Sequence, residues 1–346
     1  MYPSNRFNCS LSESGRGRCV PNPGAAIPCG AAHAVVGPSV AVVKYMGLTH
    51  EACPSNDSVA VTMTGALACG AAVTPAARRA DVLTLNGRQL NVGGLNRMIS
   101  ELRLLTGFGG LGVTAWSTFP PSSGLGASAA LCAAVTKAAL RASGRPSYDG
   151  ADVIAGIGSG SATRNLREGF VLWPRDSNAA LQWRGPTEWP TLCGWAVVLE
   201  AGSKRLPSRA AHVRARSSRQ WPTRTAKANL ELAPRALDAI AQRDLWALGA
   251  VLEEDTRDIH EVLESASPPV RYMTSKTRTF VNALTAWRDA SGTPAFASVG
   301  YGPNVIVLTD EQAAAGLATW LARRSDVLQT YRLSVCNRKS CTSTPA

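Results

Sequence analysis

The chain has 346 residues, 45% of them hydrophobic, and a formal net charge of +12. That length allows two domains with a sizeable core, and the apolar content excludes a disordered chain. No run of about 18 apolar residues occurs, which excludes a membrane-spanning helix and leaves the charge to point to an anionic partner.

Residues 1–30 carry Arg6, Arg16 and Arg18 among Ser, Gly and Pro and lack the apolar core of a secretory signal, so they read as a poorly ordered arm. Alternating β-branched and apolar residues predict strands at 39–43 and 58–63, joined by the polar loop 54–57. A hairpin is expected over 81–92, turning at Asn86-Gly87. The Ala, Leu and Val run 129–142 predicts a buried helix entered through a glycine-rich loop, and 169–173 and 192–200 read as strands. Lys204, Arg205, Arg209, Arg214, Arg216, Arg219 and Arg224 then recur without acidic balance; as a charge run they read as a solvated loop or helix face, with a domain boundary near 205. Trp221 is the single Phe, Trp or Tyr among them, too few for a series of base-stacking platforms, which argues against nucleic acid. Helices are expected at 226–242, 245–264, 276–290 and 311–324, and a strand pair at 295–299 and 304–308 brackets Gly300-Tyr-Gly-Pro303. Strands and helices intermix without strict alternation, so the fold class is α+β, divided as 31–205, 206–335 and a tail 336–346.

The nine cysteines form no CxxC pair, which disfavours a zinc ribbon or a disulfide scaffold. Cys69 and Cys132 lie in apolar surroundings and are expected to be buried thiols of a reduced, cytoplasmic protein.

Two stretches carry chemistry. In Gly158-Ser-Gly-Ser-Ala-Thr-Arg164, glycines allow close backbone approach, hydroxyls donate hydrogen bonds and a guanidinium can clamp an anion, although a plain Gly/Ser turn would look the same. In Pro120-Pro-Ser-Ser-Gly-Leu-Gly-Ala-Ser128, glycines stand directly before a helix, so free amides and the positive helix end converge where phosphate would sit. This loop lacks the lysine of a P-loop and the spacing of a dinucleotide fingerprint.

That second stretch resembles the PxxxGLGSSAA loop of the GHMP kinase superfamily, and further motifs resemble its diphosphomevalonate decarboxylase family. Ser39-Val-Ala-Val-Val-Lys-Tyr-Met-Gly47 is similar to NIAVIKYWGK, and Cys53-Pro-Ser-Asn-Asp-Ser-Val-Ala-Val-Thr62 to LPxNSSLSVT. The segment 158–173 is similar to GSGSACRSxxGGFVxW. Asp255-Thr-Arg-Asp-Ile-His260 with Pro268-Pro-Val-Arg-Tyr-Met273 is similar to the MHA…PPxxYM region, and Gly302-Pro-Asn304 ends the FDAGPN motif.

The resemblance implies a two-domain GHMP kinase fold with the active cleft between the domains. It implies an enzyme that uses ATP and magnesium to phosphorylate a tertiary hydroxyl of a 3-hydroxy acid, then loses phosphate and carbon dioxide to form an alkene. Lys44 and Arg164 would be catalytic, and Tyr45, Ser159, Ser161 and Arg164 would bind a small acidic, phosphorylated or free substrate. Pro120, Ser123, Gly124, Gly126 and Ser128 would bind ATP, with Ser128 also at the metal. A homodimer is an allowed assembly.

Several positions depart from the pattern. The family's FDAGPN aspartate, taken as the base or orienter for the hydroxyl, falls on Gly300. The second lysine of KYWGK becomes Leu48 and its tryptophan Met46. The arginine before WLNG becomes Val82, with Arg78, Arg79 and Arg88 nearby, and Ala127 replaces a loop serine. Asp57 is the acidic newcomer inside a matched motif: either a relocated base, and so a third catalytic residue, or a loop aspartate that accepts backbone N–H groups. His260 and Glu254 lie on an expected helix and read as structural. The departures imply an altered substrate or final step. A kinase that stops at phosphorylation and a silent nucleotide-binding paralogue are the competing readings; ADP without carbon dioxide marks the first, ATP binding without ADP release the second.

Overall fold

The computed structural model describes residues 31–49, 52–76, 81–90, 95–145, 147–202 and 206–335. The expected arm 1–30 and tail 336–346, and with them Arg78, Arg79, Lys204 and Arg205, lie outside those residues.

Numbered in chain order, the strands form three sheets. The first runs β1 (Ala32–Val36), β5 (Cys69–Pro75), β8 (Leu111–Ser117), β6 (Val82–Leu85), β7 (Arg88–Gln89), with only the β6–β8 pair parallel. The second runs β10 (Leu181–Arg184), β9 (Gly169–Trp173), β3 (Ser58–Thr62), β2 (Ser39–Val43), all antiparallel. The third runs β12 (Phe296–Val299), β13 (Val305–Asp310), β11 (Leu192–Val198), β14 (Gln329–Ser334), β4 (Thr64–Gly65). Both β3 and β11 occupy the inside of a sheet and are buried along their whole length, which explains their unbroken runs of apolar or small residues. The strand expected before the boundary near residue 205 thus hydrogen-bonds with the later strands β13 and β14, and β4 crosses back to join them.

The expected buried helix is α2 (Ala127–Ala142), which packs on β1 and β5 and against the short helices α3 (Ala151–Gly158) and α4 (Ala162–Asn165). Its alanines are buried almost all round, and their small size lets neighbours close in on every side. Helix α1 (Asn96–Thr106), which the sequence reading passed over, buries Met98, Ile99, Leu102 and Leu105. The basic stretch, read as a solvated loop or helix face, folds into α5 (Ser208–Ala215) and α6 (Trp221–Lys227), with Arg209, Arg216 and Arg219 exposed and Arg224 buried. The residues after them form a π-turn, then α7 (Ala233–Gln242) and α8 (Leu245–Glu264), with α9 (Ser275–Ser291) and α10 (Ala314–Ala322) beyond. One apolar core runs from β1 through α2 to α8 and β13, so the two halves share a hydrophobic interior. Among the described residues, no helix is long and apolar enough to cross a membrane.

Candidate active site

A cleft of about 270 Å³ opens where the end of β2, the loop before α2, helix α4 and the turn between β12 and β13 meet. Each wall follows from local chemistry.

The loop wall is built by glycines in the left-handed region, Gly124 at φ 77° and Gly126 at φ 98°, the latter capping α2. The amides of the first helical turn have no acceptor within the helix and point their positive end at this wall. The Ser123 hydroxyl is buried without a hydrogen-bond partner, and Ser128 stands exposed in the first turn of α2 and lines the cleft. Such donors fit phosphate. Asn304 fixes the loop: its Nδ2 donates to Ser123 O (2.9 Å) and Glu200 O (3.2 Å), while its Oδ1 accepts from Leu199 N and Glu200 N. Gly302 and Gly124 lie so close that a Cβ on Gly124 would stand 2.6 Å from the Gly302 Cα, so the Gly-Pro-Asn segment is a rest for the loop. Pro120 begins the turn, its carbonyl accepting from Ser123 N at 3.4 Å; it is not among the residues lining the cleft.

The cradle wall is a helix–turn–helix, where the sequence suggested a turn leading into a strand: α3 ends at Gly158, Ser159 to Ser161 cross, and α4 carries Arg164. Its glycines serve packing. A Cβ on Gly158 would meet Met98 Sδ and Cys132 Sγ, and one on Gly160 would meet the Tyr45 hydroxyl at 2.3 Å. Ser159, Ser161, Tyr45 and Arg164 all line the cleft. Arg164 is 4% exposed, donates from Nη1 to Ser58 Oγ (2.7 Å) and stands over the Tyr45 ring at 5.5 Å. Its Nε is buried without a partner, and no carboxylate among the described residues lies within ion-pair distance. Burial pulls its pKa below the usual value.

Lys44, at the end of β2, donates from Nζ to Asp255 Oδ2 (3.2 Å) and Thr256 Oγ1 (3.0 Å), and its backbone N–H donates to the same Oδ2 (3.1 Å). Arg224 of α6 donates to Asp255 Oδ1 (2.5 Å), Asn56 Oδ1 and Lys44 O. Asp255, fully buried on α8, is the carboxylate that holds both cations, a role the sequence reading missed. A signal was available: Leu252, Asp255, Thr256 and Ile259 share one helical stripe, so Asp255 sits where α8 turns inward. Arg224 likewise belongs to the interior and not to a solvated face, because Asp255 and Asn56 supply its acceptors there.

The structure brings Lys44, Tyr45, Ser123, Gly124, Gly126, Ser128, Ser159, Ser161 and Arg164 to one cleft. It does not bring Asp57, so that residue is corrected from relocated base to loop aspartate: its carboxylate accepts from Arg175 N at 2.8 Å, away from the lining residues. Gly300 lines the cleft, and a Cβ there would meet only Gly124 O at 3.9 Å. His260 is buried against Val299 O, and desolvation holds its pKa down to about 3; Glu254 pairs with Lys227 and Arg235. A wider chamber of about 850 Å³ adjoins the cradle and is lined by Arg97, Arg209 and Arg216. There Arg216 Nη2 donates to Leu48 O at 2.8 Å, bringing a cation to the backbone position where the family motif has lysine.

An α+β fold with a helix-capping phosphate loop facing a cationic cradle defines a protein of the GHMP kinase type. Within that class the chain belongs to the diphosphomevalonate decarboxylase family: residues 36–182 match the model of the diphosphomevalonate decarboxylase-like N-terminal domain, and residues 196–342 that of the mevalonate 5-diphosphate decarboxylase C-terminal domain. It is 27% identical over 312 residues to the diphosphomevalonate decarboxylase of Rattus norvegicus, spanning 80% of this chain and 76% of that one. The relative from Gibberella zeae is 26% identical over 314 residues, 80% of each chain. Mevalonate diphosphate decarboxylase from Staphylococcus aureus superposes with a TM-score of 0.80 at 25% identity, covering 88% of this chain and 95% of that one. The Enterococcus faecalis enzyme gives 0.76 at 24%, covering 87% and 96%.

Proposed function

We propose that the protein is an ATP-dependent decarboxylase that phosphorylates a hydroxyl of a small 3-hydroxy acid, diphosphomevalonate or an altered substrate, and eliminates phosphate and carbon dioxide to leave an alkene. The observation that carries this reading is Arg164: a buried guanidinium without a carboxylate partner among the described residues, lining the same cleft as a phosphate-binding loop. An unpaired buried cation is costly, and a substrate carboxylate or phosphate removes that cost by two-point hydrogen bonding. Ser159, Ser161 and the Tyr45 hydroxyl would orient the same anion, while Arg97, Arg209 and Arg216 suit a phosphorylated tail in the adjoining chamber.

On the loop wall, the Ser123 hydroxyl and the amides from Gly124 to Ser128 would hold nucleotide phosphates. Among the described residues no cluster of His, Cys, Asp and Glu could bind a metal, so magnesium would rest on the Ser128 hydroxyl and phosphate oxygens, in keeping with its few protein ligands. ATP would supply the phosphoryl group and magnesium the neutralisation of its charge. Lys44 would face the charge that develops between the two anions. Related proteins that carry the decarboxylase name, and a complex of a similar fold with MVAPP, AMPPCP and magnesium, support this assignment. The proposal extends to a cytoplasmic setting, supported by buried free thiols such as Cys69 and Cys132, and to a homodimer, which sedimentation equilibrium would read.

The test is incubation with ATP, magnesium and a panel of 3-hydroxy acids, free and phosphorylated, following ADP, carbon dioxide and product mass together. Equimolar ADP, carbon dioxide and alkene are expected. Gly300, which brings no carboxylate to the cleft, favours one alternative, a kinase whose product is the stable phosphate ester; ADP without carbon dioxide would select it.

A further inference from the structure

The cleft keeps a buried amine, Lys44, but has glycine at position 300, where the family pattern has a carboxylate. The backbone at Gly300 is not left-handed and the space beside it is open, so nothing in the fold imposes the missing side chain. Among the described residues lining the cleft there is no Asp or Glu. Asp255 is close behind the wall, yet it is fully buried and both its oxygens are occupied, Oδ1 by Arg224 and Oδ2 by Lys44.

Lys44 is placed differently. Two N–H bonds of its Nζ are committed to Asp255 and Thr256, which leaves one position on the nitrogen of a side chain that lines the cleft. Thr256 can only accept from it, because the threonine's own hydroxyl proton is already given to Leu252 O at 2.7 Å.

We propose that Lys44 is the base for the phosphorylation step, accepting the substrate's hydroxyl proton in place of a carboxylate at position 300, with Asp255 as the residue that positions it. The proposal rests on the ATP-dependent reading of this cleft. In the step, the hydroxyl oxygen forms a bond to the γ-phosphorus of ATP and the bond from that phosphorus to the bridging oxygen breaks, its electron pair leaving with ADP. The hydroxyl proton passes to the lone pair of Lys44 Nζ, and the resulting ammonium is held by Asp255 Oδ2.

The electrostatics agree with the geometry. Burial pulls Lys44 below the ordinary lysine range, and Arg224 from α6 and Arg164 from α4 pull the same way, against the attraction of Asp255 from α8. His260, on α8 as well, is held neutral and adds no cation. Asp255 is shared between Arg224, which stays charged, and the Lys44 amine, so the amine is the partner able to stand neutral and accept a proton.

The experiment is the pH dependence of kcat/KM for ADP release in the wild type, Lys44→Arg, Gly300→Asp and the double variant, with folding followed by chemical denaturation. Arginine keeps the charge and cannot accept a proton, so Lys44→Arg is expected to fall about 10²- to 10⁴-fold and to lose the acid limb of the profile. In the double variant, Gly300→Asp is expected to recover at least about tenfold and to bring the limb into the carboxylate range. A Lys44→Arg enzyme within about threefold of wild type, or one whose acid limb is unchanged, overturns the proposal. If Lys44→Arg does not fold, Gly300→Asp alone decides: a limb that moves to lower pH supports an amine base, and one that stays put overturns it. Titration of the lysine ε-carbons by NMR gives a readout independent of turnover. Lys44 titrating with the ordinary lysines would overturn the proposal, whereas absence of ADP with every hydroxy acid would sink the functional reading instead.

Discussion

Two buried arginines flank Lys44, and they differ in one respect. Arg224 meets Asp255, Asn56 and the Lys44 carbonyl, so its charge is answered within the protein. Arg164 meets the Ser58 hydroxyl and the face of Tyr45, and no carboxylate among the described residues. Both are almost inaccessible, so burial does not separate scaffold from site; the partner set does. A buried cation with its counter-charge supports the fold, and one without it implies that the counter-charge comes from a ligand.

The largest effect that would break this contrast is on the partnered side. Asp255→Ala leaves Arg224 and Lys44 buried together without a carboxylate, and is expected to cost about 3–5 kcal/mol in urea unfolding. Arg164→Ala is expected to do the reverse: kcat/KM falls about 10²- to 10³-fold, while the thermal midpoint stays or rises because an unanswered charge is gone. A drop in stability matching that of Asp255→Ala would erase the distinction. Asn304→Ala sharpens it at the loop wall, where the amide is fully committed; loss of its bonds is expected to cost about 1–3 kcal/mol and to raise the KM for ATP, read by steady-state kinetics.

The smallest effect concerns His260. Its folded-state pKa, about 3, lies below the ordinary value of 6.5, so the native state refuses a proton that the unfolded chain accepts. Stability is unaffected by this group above about pH 6.5 and declines as pH falls from there towards 3. Against His260→Asn, the wild type should lose about 2 kcal/mol between pH 7 and pH 5, measured by urea unfolding at the two pH values.

The elements built on strong periodicity were legible. Strands β2, β3 and β9, helix α2 and the long helix α8 stand where alternation or an apolar stripe puts them, because packing and local propensity agree there. Strand β14 and the helices α3 and α4 were not read: the strand mixes exposed Gln329 and Thr330 with buried Leu333, and small residues hide the short helices as turn signals. The phosphate loop and the cradle were visible as local motifs. The Lys44–Asp255–Arg224 cluster was not, since its members come from three distant elements and a basic run does not reveal which of its arginines turns inward. Asp57 misled for the opposite reason: it lies inside a matched motif, but its carboxylate is occupied by a neighbouring backbone amide.

Asn304 has a consequence for how the molecule moves. One side-chain amide fastens the nucleotide loop to the strand-end backbone at Leu199 and Glu200, with a donor and an acceptor engaged on the sheet side. It acts as a rivet between the halves, so the loop cannot shift as part of a self-contained front module. On the proposed reading of this loop, nucleotide binding and the seating of the third sheet are coupled through Asn304, and that coupling free energy is the same read from either side.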